Sequence, residues 1–191
     1  MNDNVDVLKE LEVKNKEIYL NNLNANLSSN LENILLIIDE KFKIQSEELL
    51  IKINSILGRN INKDEINKFM SSLLEKIKSL LVNRFNLFKE YISNIDNQKY
   101  NELLSEEKNV LLTEFDGYYN SLSFPLLQSL LKGADEFIIM RLSYYINTIF
   151  FEKLLVTIKD TISVMDQILC NNYQVDYERF KKINENTIKK V

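Results

Sequence analysis

The chain of 191 residues is 45% hydrophobic and 27% charged, with a formal net charge of −4 at pH 7. This is enough apolar material for one domain with its own core. Three glycines and one proline are too few for the many turns of a β-rich protein. The four arginines are scattered and the lysines are interleaved with acidic residues, which argues against nucleic-acid binding by phosphate neutralisation. Composition therefore predicts one all-α domain, residues 1–191.

The absence of histidine excludes several kinds of chemistry. Ser–His–Asp catalysis, Cys–His catalysis and histidine-ligated zinc all need an imidazole, and di-iron bundles need two Glu-x-x-His motifs. The one cysteine, Cys170, forms no internal disulfide and fits a small buried side chain. No Walker, Gly-x-Gly-x-x-Gly or Cys-x-x-Cys motif occurs. We predict no cofactor, no metal and no enzyme activity.

The N-terminal stretch "MNDNVDVLKELEVKN" lacks the basic and apolar regions of a signal peptide. The most apolar tract, residues 137–158, contains Arg141, Glu152 and Lys153, so no membrane span is predicted. A cytoplasmic location is the resulting expectation.

The first long helix is predicted from about residue 20 to residue 56, after a short amphipathic start. Residues 1–16 are expected to be a loosely attached N-terminal segment of the same domain. Apolar residues from Leu20 to Ile56 fall within about one third of the helix circumference. Ser29 and Glu32 have the spacing of a capping box, so a break at residues 28–30 is the alternative.

The segment "GRNINKDE" that follows has alternating polar residues like those of a calcium loop. A loop that starts at Asn60 needs glycine at its sixth position and glutamate at its twelfth, where this chain has Glu65 and Ser71. Gly58 instead suits a helix end, and Asn62 suits a helix start with Glu65 closing a capping box. We predict a corner between two helices.

The later helices are predicted at residues 63–95, 98–122, 134–170 and 176–190, with a short helix that starts at Pro125 and ends near residue 132. The helix at 134–170 is apolar on most of its circumference, and four of its charged residues lie in one seam. These residues are Arg141, Glu152, Lys159 and Asp166. The predicted architecture is an elongated antiparallel bundle of about five helices, with long coiled-coil-like helices.

Several polar residues interrupt the apolar stripes: Gln45 in the first helix, Arg84 in the second, and Glu107 and Glu114 in the third. If the second and third helices turn near residue 96, Arg84 and Glu107 come level. A buried charge needs a partner, so we predict an Arg84–Glu107 ion pair with Glu114 as the alternative. Such a pair either fixes helix register or forms a small polar site.

The aromatic cluster "YYINTIFF" is the candidate interface, with Tyr144, Tyr145, Phe150 and Phe151 as its residues. Aromatic side chains dominate interface hot spots, although apolar residues are usually just buried, so simple filling of the core is the favoured explanation.

These features favour a non-enzymatic helical protein–protein interaction module that binds a protein partner or a second copy of itself. A scaffold, an adaptor, an assembly chaperone and a small inhibitor of a larger complex all belong to this class. Two alternatives stay open. One is an acidic nucleic-acid mimic or nucleic-acid-associated protein of phage or mobile-element origin. The other is an enzyme that uses a pocket of Arg84, Glu107 and Glu114.

Overall fold

The computed structural model describes residues 2–93 and 100–189, and these residues form helices without any strand. The helices are α1 (Asn2–Leu57), α2 (Lys63–Ser93), α3 (Tyr100–Leu130), α4 (Glu136–Tyr144), a π-helical segment (Tyr145–Phe150) and α5 (Phe151–Lys189). They pack against one another around a shared hydrophobic core. The predicted all-α bundle is therefore confirmed.

Helix α1 runs without interruption, so the alternative break at residues 28–30 does not occur. Its apolar stripe stays in phase through that region, with Leu27 and Ile34 buried on either side. No interruption of the helix marks the predicted boundary near residue 16. At 1.5 Å per residue, α1 is about 84 Å long.

Helix α1 packs against both α2 and α5, and α2 packs against α3. Residues that meet across these pairs follow opposite chain order, so the neighbouring helices are antiparallel. The hydrogen-bonded residues that show this are Asn15 with Asn184, Gln45 with Thr157, Lys76 with Glu114, and Glu65 with Ser129. An ion pair places Lys78 of α2 beside Asp39 of α1. Helix α2 therefore ends about level with residue 24, and α1 continues beyond it alongside α5.

Two predicted helix ends are wrong. Helix α3 continues through Pro125 to Leu130, although a proline inside a helix costs about 3 kcal/mol. Leu126, Leu127 and Leu130 are all buried, and burial of each contributes roughly 1.5–3 kcal/mol, which offsets that cost. The predicted break before residue 176 is also absent, because α5 continues to Lys189.

The corner between α1 and α2 forms as predicted. Gly58 has a φ of 67° and its N–H donates to the Asn54 carbonyl oxygen at 2.9 Å, which is a left-handed helix end. The Asn62 side chain accepts from the Asp64 N–H at 3.0 Å, which is an N-cap. The part predicted for Glu65 differs: its carboxylate, expected to close a capping box with Asn62, accepts from Ser129 Oγ on α3 at 2.7 Å.

We predict opposite effects for alanine at two glycines. Gly58→Ala should lower the free energy of unfolding by about 1 kcal/mol, because a side chain strains a left-handed residue. Gly117→Ala, inside α3, should raise it by about 0.5–1 kcal/mol. Neither added Cβ meets an atom within 4 Å, so the two stability changes reflect the backbone and not side-chain packing. Urea denaturation measures both, and shifts of the same sign would contradict this account.

Candidate interaction surface

Arg84 is buried at 1% exposure, but its partner is Asp166 of α5 and not a glutamate of α3. Its Nε donates to Asp166 Oδ1 at 3.0 Å and its Nη2 donates to Oδ2 at 2.7 Å. This is a two-pronged charge-assisted contact, the strong form of the arginine–carboxylate pair. The predicted Arg84–Glu107 pair, and its Glu114 alternative, are therefore wrong.

The error lies in the direction of the side chain and not in the register of the helices. Glu114 of α3 binds Lys76 of α2 at 2.7 Å, and this register puts Glu107 within about a residue of the Arg84 level. On α2, however, Lys76 points to α3 and Lys78 points to α1. Arg84 lies seven residues after buried Ile77, on the face between those two directions. It therefore points into the bundle, towards α5.

Gln45, the other polar residue of a predicted apolar stripe, joins α1 to α5. Its side-chain amide donates to Thr157 Oγ1 at 2.8 Å. The Thr157 hydroxyl donates in turn to the Lys153 carbonyl oxygen at 3.2 Å. This contact fixes which residues of α1 and α5 are level with each other.

Three of the four residues predicted as an interface belong to the core. Tyr145 and Phe150 are buried, and Phe151 stacks on Phe115 with ring centroids 6.4 Å apart. Tyr144 is exposed at 61%. Of the two interpretations of this cluster, core filling describes Tyr145, Phe150 and Phe151, and only Tyr144 is available to a partner.

The π-helical segment explains how this cluster fits into the core. Leu142, Ile146, Phe150 and Leu154 recur every four residues and are all buried. In a regular α-helix each such interval drifts by about 40° around the axis, so the four residues would spread over more than one face. The wider π turns between Tyr145 and Phe150 absorb that drift.

A buried tyrosine holds the π-helical segment in place. Tyr119 of α3 donates its hydroxyl hydrogen to the Ile146 carbonyl oxygen at 2.6 Å. Burial, and secondarily Tyr145, raises the pKa of Tyr119 above its usual value, and burial together with the nearby Glu48 carboxylate raises the pKa of Tyr145. Both hydroxyls therefore stay protonated at neutral pH, and that of Tyr119 acts as a hydrogen-bond donor.

The outer face of α1 and α5 carries a double row of exposed apolar residues, which we call the ladder. Ile37, Ile44 and Ile51 of α1 recur every seven residues. Beside them lie Ile149 of the π-helical segment and Val156 and Val164 of α5. All six are between 40% and 70% exposed. Ile44, Ile149 and Val156 line a groove of about 600 Å³ between the helices, and Ile51 and Ile149 line an adjoining one of about 450 Å³. No described helix covers this face.

Charged residues border the ladder with both signs represented. Lys41, Glu48, Glu152 and Lys153 line the larger groove, and Lys153 Nζ lies 3.8 Å from Glu48 Oε2. An apolar strip between mixed charges favours contact with another protein surface of similar character.

Among residues 2–93 and 100–189, no cluster of three or more histidine, cysteine or acidic side chains is arranged to hold a metal ion. No helix in the described ranges combines the length and hydropathy that crossing a membrane requires.

No family model matches the chain, and neither the curated proteins nor the solved structures contain a significant match to it. Its function is therefore inferred from the surface itself.

We predict that Asp166→Ala lowers the free energy of unfolding by about 3 kcal/mol, because it leaves Arg84 buried and unpaired. Asp166 itself is 28% exposed, which puts the cost at the lower end of the usual range. Glu107→Ala and Glu114→Ala are the matched controls and should change stability by less than about 1 kcal/mol. Urea denaturation of the three variants decides between the two assignments. An equal loss for Glu107→Ala would restore the original pairing.

We also predict that Tyr119→Phe lowers the free energy of unfolding by about 1–2 kcal/mol, because the buried Ile146 carbonyl oxygen loses its hydroxyl donor. Tyr118→Phe, on the half-buried neighbour, should cost less than about 0.5 kcal/mol. A larger effect at Tyr118 than at Tyr119 would contradict the role assigned to the hydroxyl.

The same tyrosine predicts a pH dependence. The folded chain keeps the Tyr119 proton, whereas the unfolded chain loses it near pH 10. Above that pH the folded state binds more protons than the unfolded state, so stability falls as pH rises. The wild-type chain should therefore lose stability more steeply above about pH 10 than Tyr119→Phe does. Equal slopes in denaturant titrations would contradict this prediction.

Proposed function

We propose that this chain is a non-enzymatic helical interaction module that binds another protein chain through the ladder. The observation that carries the proposal is the row of six exposed apolar residues on two neighbouring helices. Contiguous exposed apolar surface bordered by polar residues marks interaction sites. The spacing of seven or eight residues suits a helix that lies along the groove. The roles of scaffold, adaptor, assembly chaperone and inhibitor all use such a surface.

The two alternative functions have less support. The enzyme alternative needs Arg84, Glu107 and Glu114 in one pocket, but Arg84 binds Asp166 and Glu114 binds Lys76. A nucleic-acid mimic needs carboxylates gathered on one face. On the ladder face, lysines alternate with the acidic residues.

Site-specific photo-crosslinking tests the proposal. A photoreactive amino acid is placed at Ile44 or at Val156, and the full chain is expressed in the cells that naturally produce it. Val110 of α3 is the matched control because its 61% exposure is close to the 56% and 57% of the two ladder positions. We expect specific adducts with a defined protein from both ladder positions and none from Val110. Adducts that are equal at all three positions, or absent at all three, would contradict the proposal.

A further inference from the structure

We infer that the chain bound by the ladder is a second copy of this protein, related to the first by a twofold axis. The inference rests on the proposed function and adds the identity of the partner. Two features of the ladder carry it: the levels of its residues and the order of its charges.

The ladder residues are level with one another across the two helices. The Gln45–Thr157 hydrogen bond sets Ile44 beside Val156 at the centre. Because α1 and α5 are antiparallel, Ile51 then lies about level with Ile149, and Ile37 with Val164. The ladder therefore has a central pair with one pair on each side of it. A twofold contact brings the same patch of both copies together, so the patch must be complementary to itself. The three level pairs, arranged symmetrically about the central one, meet this requirement.

The charges beside the ladder follow the same order on both helices. Lys41 lies three residues before Ile44 and Glu48 lies four after it. On α5, Lys153 lies three residues before Val156 and Asp160 lies four after it. All four charged residues are exposed.

Both twofold arrangements pair opposite charges among these four residues. Glu152, which also lines the larger groove, is the exception, because it comes level with Asp160 of the second copy in one arrangement and with Glu48 in the other. In the first arrangement the twofold axis lies in the plane of the contact, perpendicular to the helices, and passes through the central pair. Helix α1 then lies antiparallel on α1 of the second copy, and Lys41 meets Glu48 of that copy. In the second arrangement the axis lies in the plane of the contact and runs parallel to the helices. Helix α1 then lies on α5 of the second copy, and Lys41 meets Asp160 of that copy. Four flanking charges that pair with opposite signs, together with the matched apolar spacing, favour self-association over an unrelated partner.

The contact is small. From Ile37 to Ile51 the ladder is about 21 Å long, and it is two helices wide, or about 20 Å. Interfaces of this size are at the weak end of specific association. The dimer should therefore form and dissociate with concentration.

Light scattering of the full chain, from low micromolar to millimolar concentration, is the first test. We expect the mass to rise from one chain to two. Ile44→Ser and Val156→Ser should each weaken the dimer about tenfold or more, whereas the matched Val110→Ser should not change it. A single-chain mass at every concentration would overturn the inference. If photo-crosslinking at the ladder nevertheless gave adducts with a different protein, the proposed function would stand. Only the identification of the partner as a second copy would then be excluded.

Charge exchange is the second test and does not depend on apolar variants that fold poorly. Lys41→Glu, Glu48→Lys and Asp160→Lys should each weaken the dimer, because each creates like-charge contacts in either arrangement. A mixture of Lys41→Glu with Glu48→Lys should restore it if α1 lies on α1. A mixture of Lys41→Glu with Asp160→Lys should restore it if α1 lies on α5. Rescue by neither mixture, with thermal unfolding of the single variants unchanged, would overturn the twofold contact.

Discussion

The apolar stripe of α1 determines where the other helices lie, because α1 packs against both α2 and α5. One flank of the stripe meets α2, where Asp39 binds Lys78, and the other meets α5, where Gln45 binds Thr157. Helix α3 then packs on α2 and closes the core through residues such as Tyr119. This arrangement uses two sides of α1, and none of the helices in the described part of the chain covers the third side. The exposed row that begins at Ile37 is a consequence of how the bundle is built around α1.

The π-helical segment shifts the phase of the buried residues that lead from α4 into α5. The four-residue intervals from Leu142 to Leu154 would carry the apolar row away from the core in a regular helix. One wider segment keeps the row inside, and the Tyr119 hydroxyl satisfies the Ile146 carbonyl oxygen within that segment. A hydrogen bond to a buried carbonyl contributes about 1 kcal/mol, so the Tyr119 hydroxyl stabilises the π-helical segment. The same phase correction brings Ile149 to the outer face, where it lines both grooves.

Local signals in the sequence predicted the local structure, whereas features that depend on three helices at once were not predictable. The corner at Gly58 and Asn62 follows from backbone preferences of single residues, and it forms as expected. The end of α3 was predicted wrongly at Pro125, because the prediction used only the preference of proline for the first turn of a helix. It did not include the burial of the leucines that follow it. Arg84 was correctly placed in the interior, but an argument from two helices could not find its partner Asp166 on a third. The aromatic cluster kept two interpretations open for the same reason, since the burial of each ring depends on which helices surround it.

The buried polar contacts explain why the exposed face keeps a defined geometry. If α5 slid along α1 and α2 by one turn, Arg84 would lose Asp166 and remain charged in the interior, at a cost of several kcal/mol. Gln45 would lose Thr157 at the same time. Apolar contacts alone resist such a slip weakly, because one leucine or isoleucine replaces another with little loss. The polar contacts therefore hold α1 and α5 in one register, and that register keeps Ile44 level with Val156. A partner that recognises level pairs of apolar residues requires this fixed register, so the buried ion pair supports the surface although it lies inside the bundle.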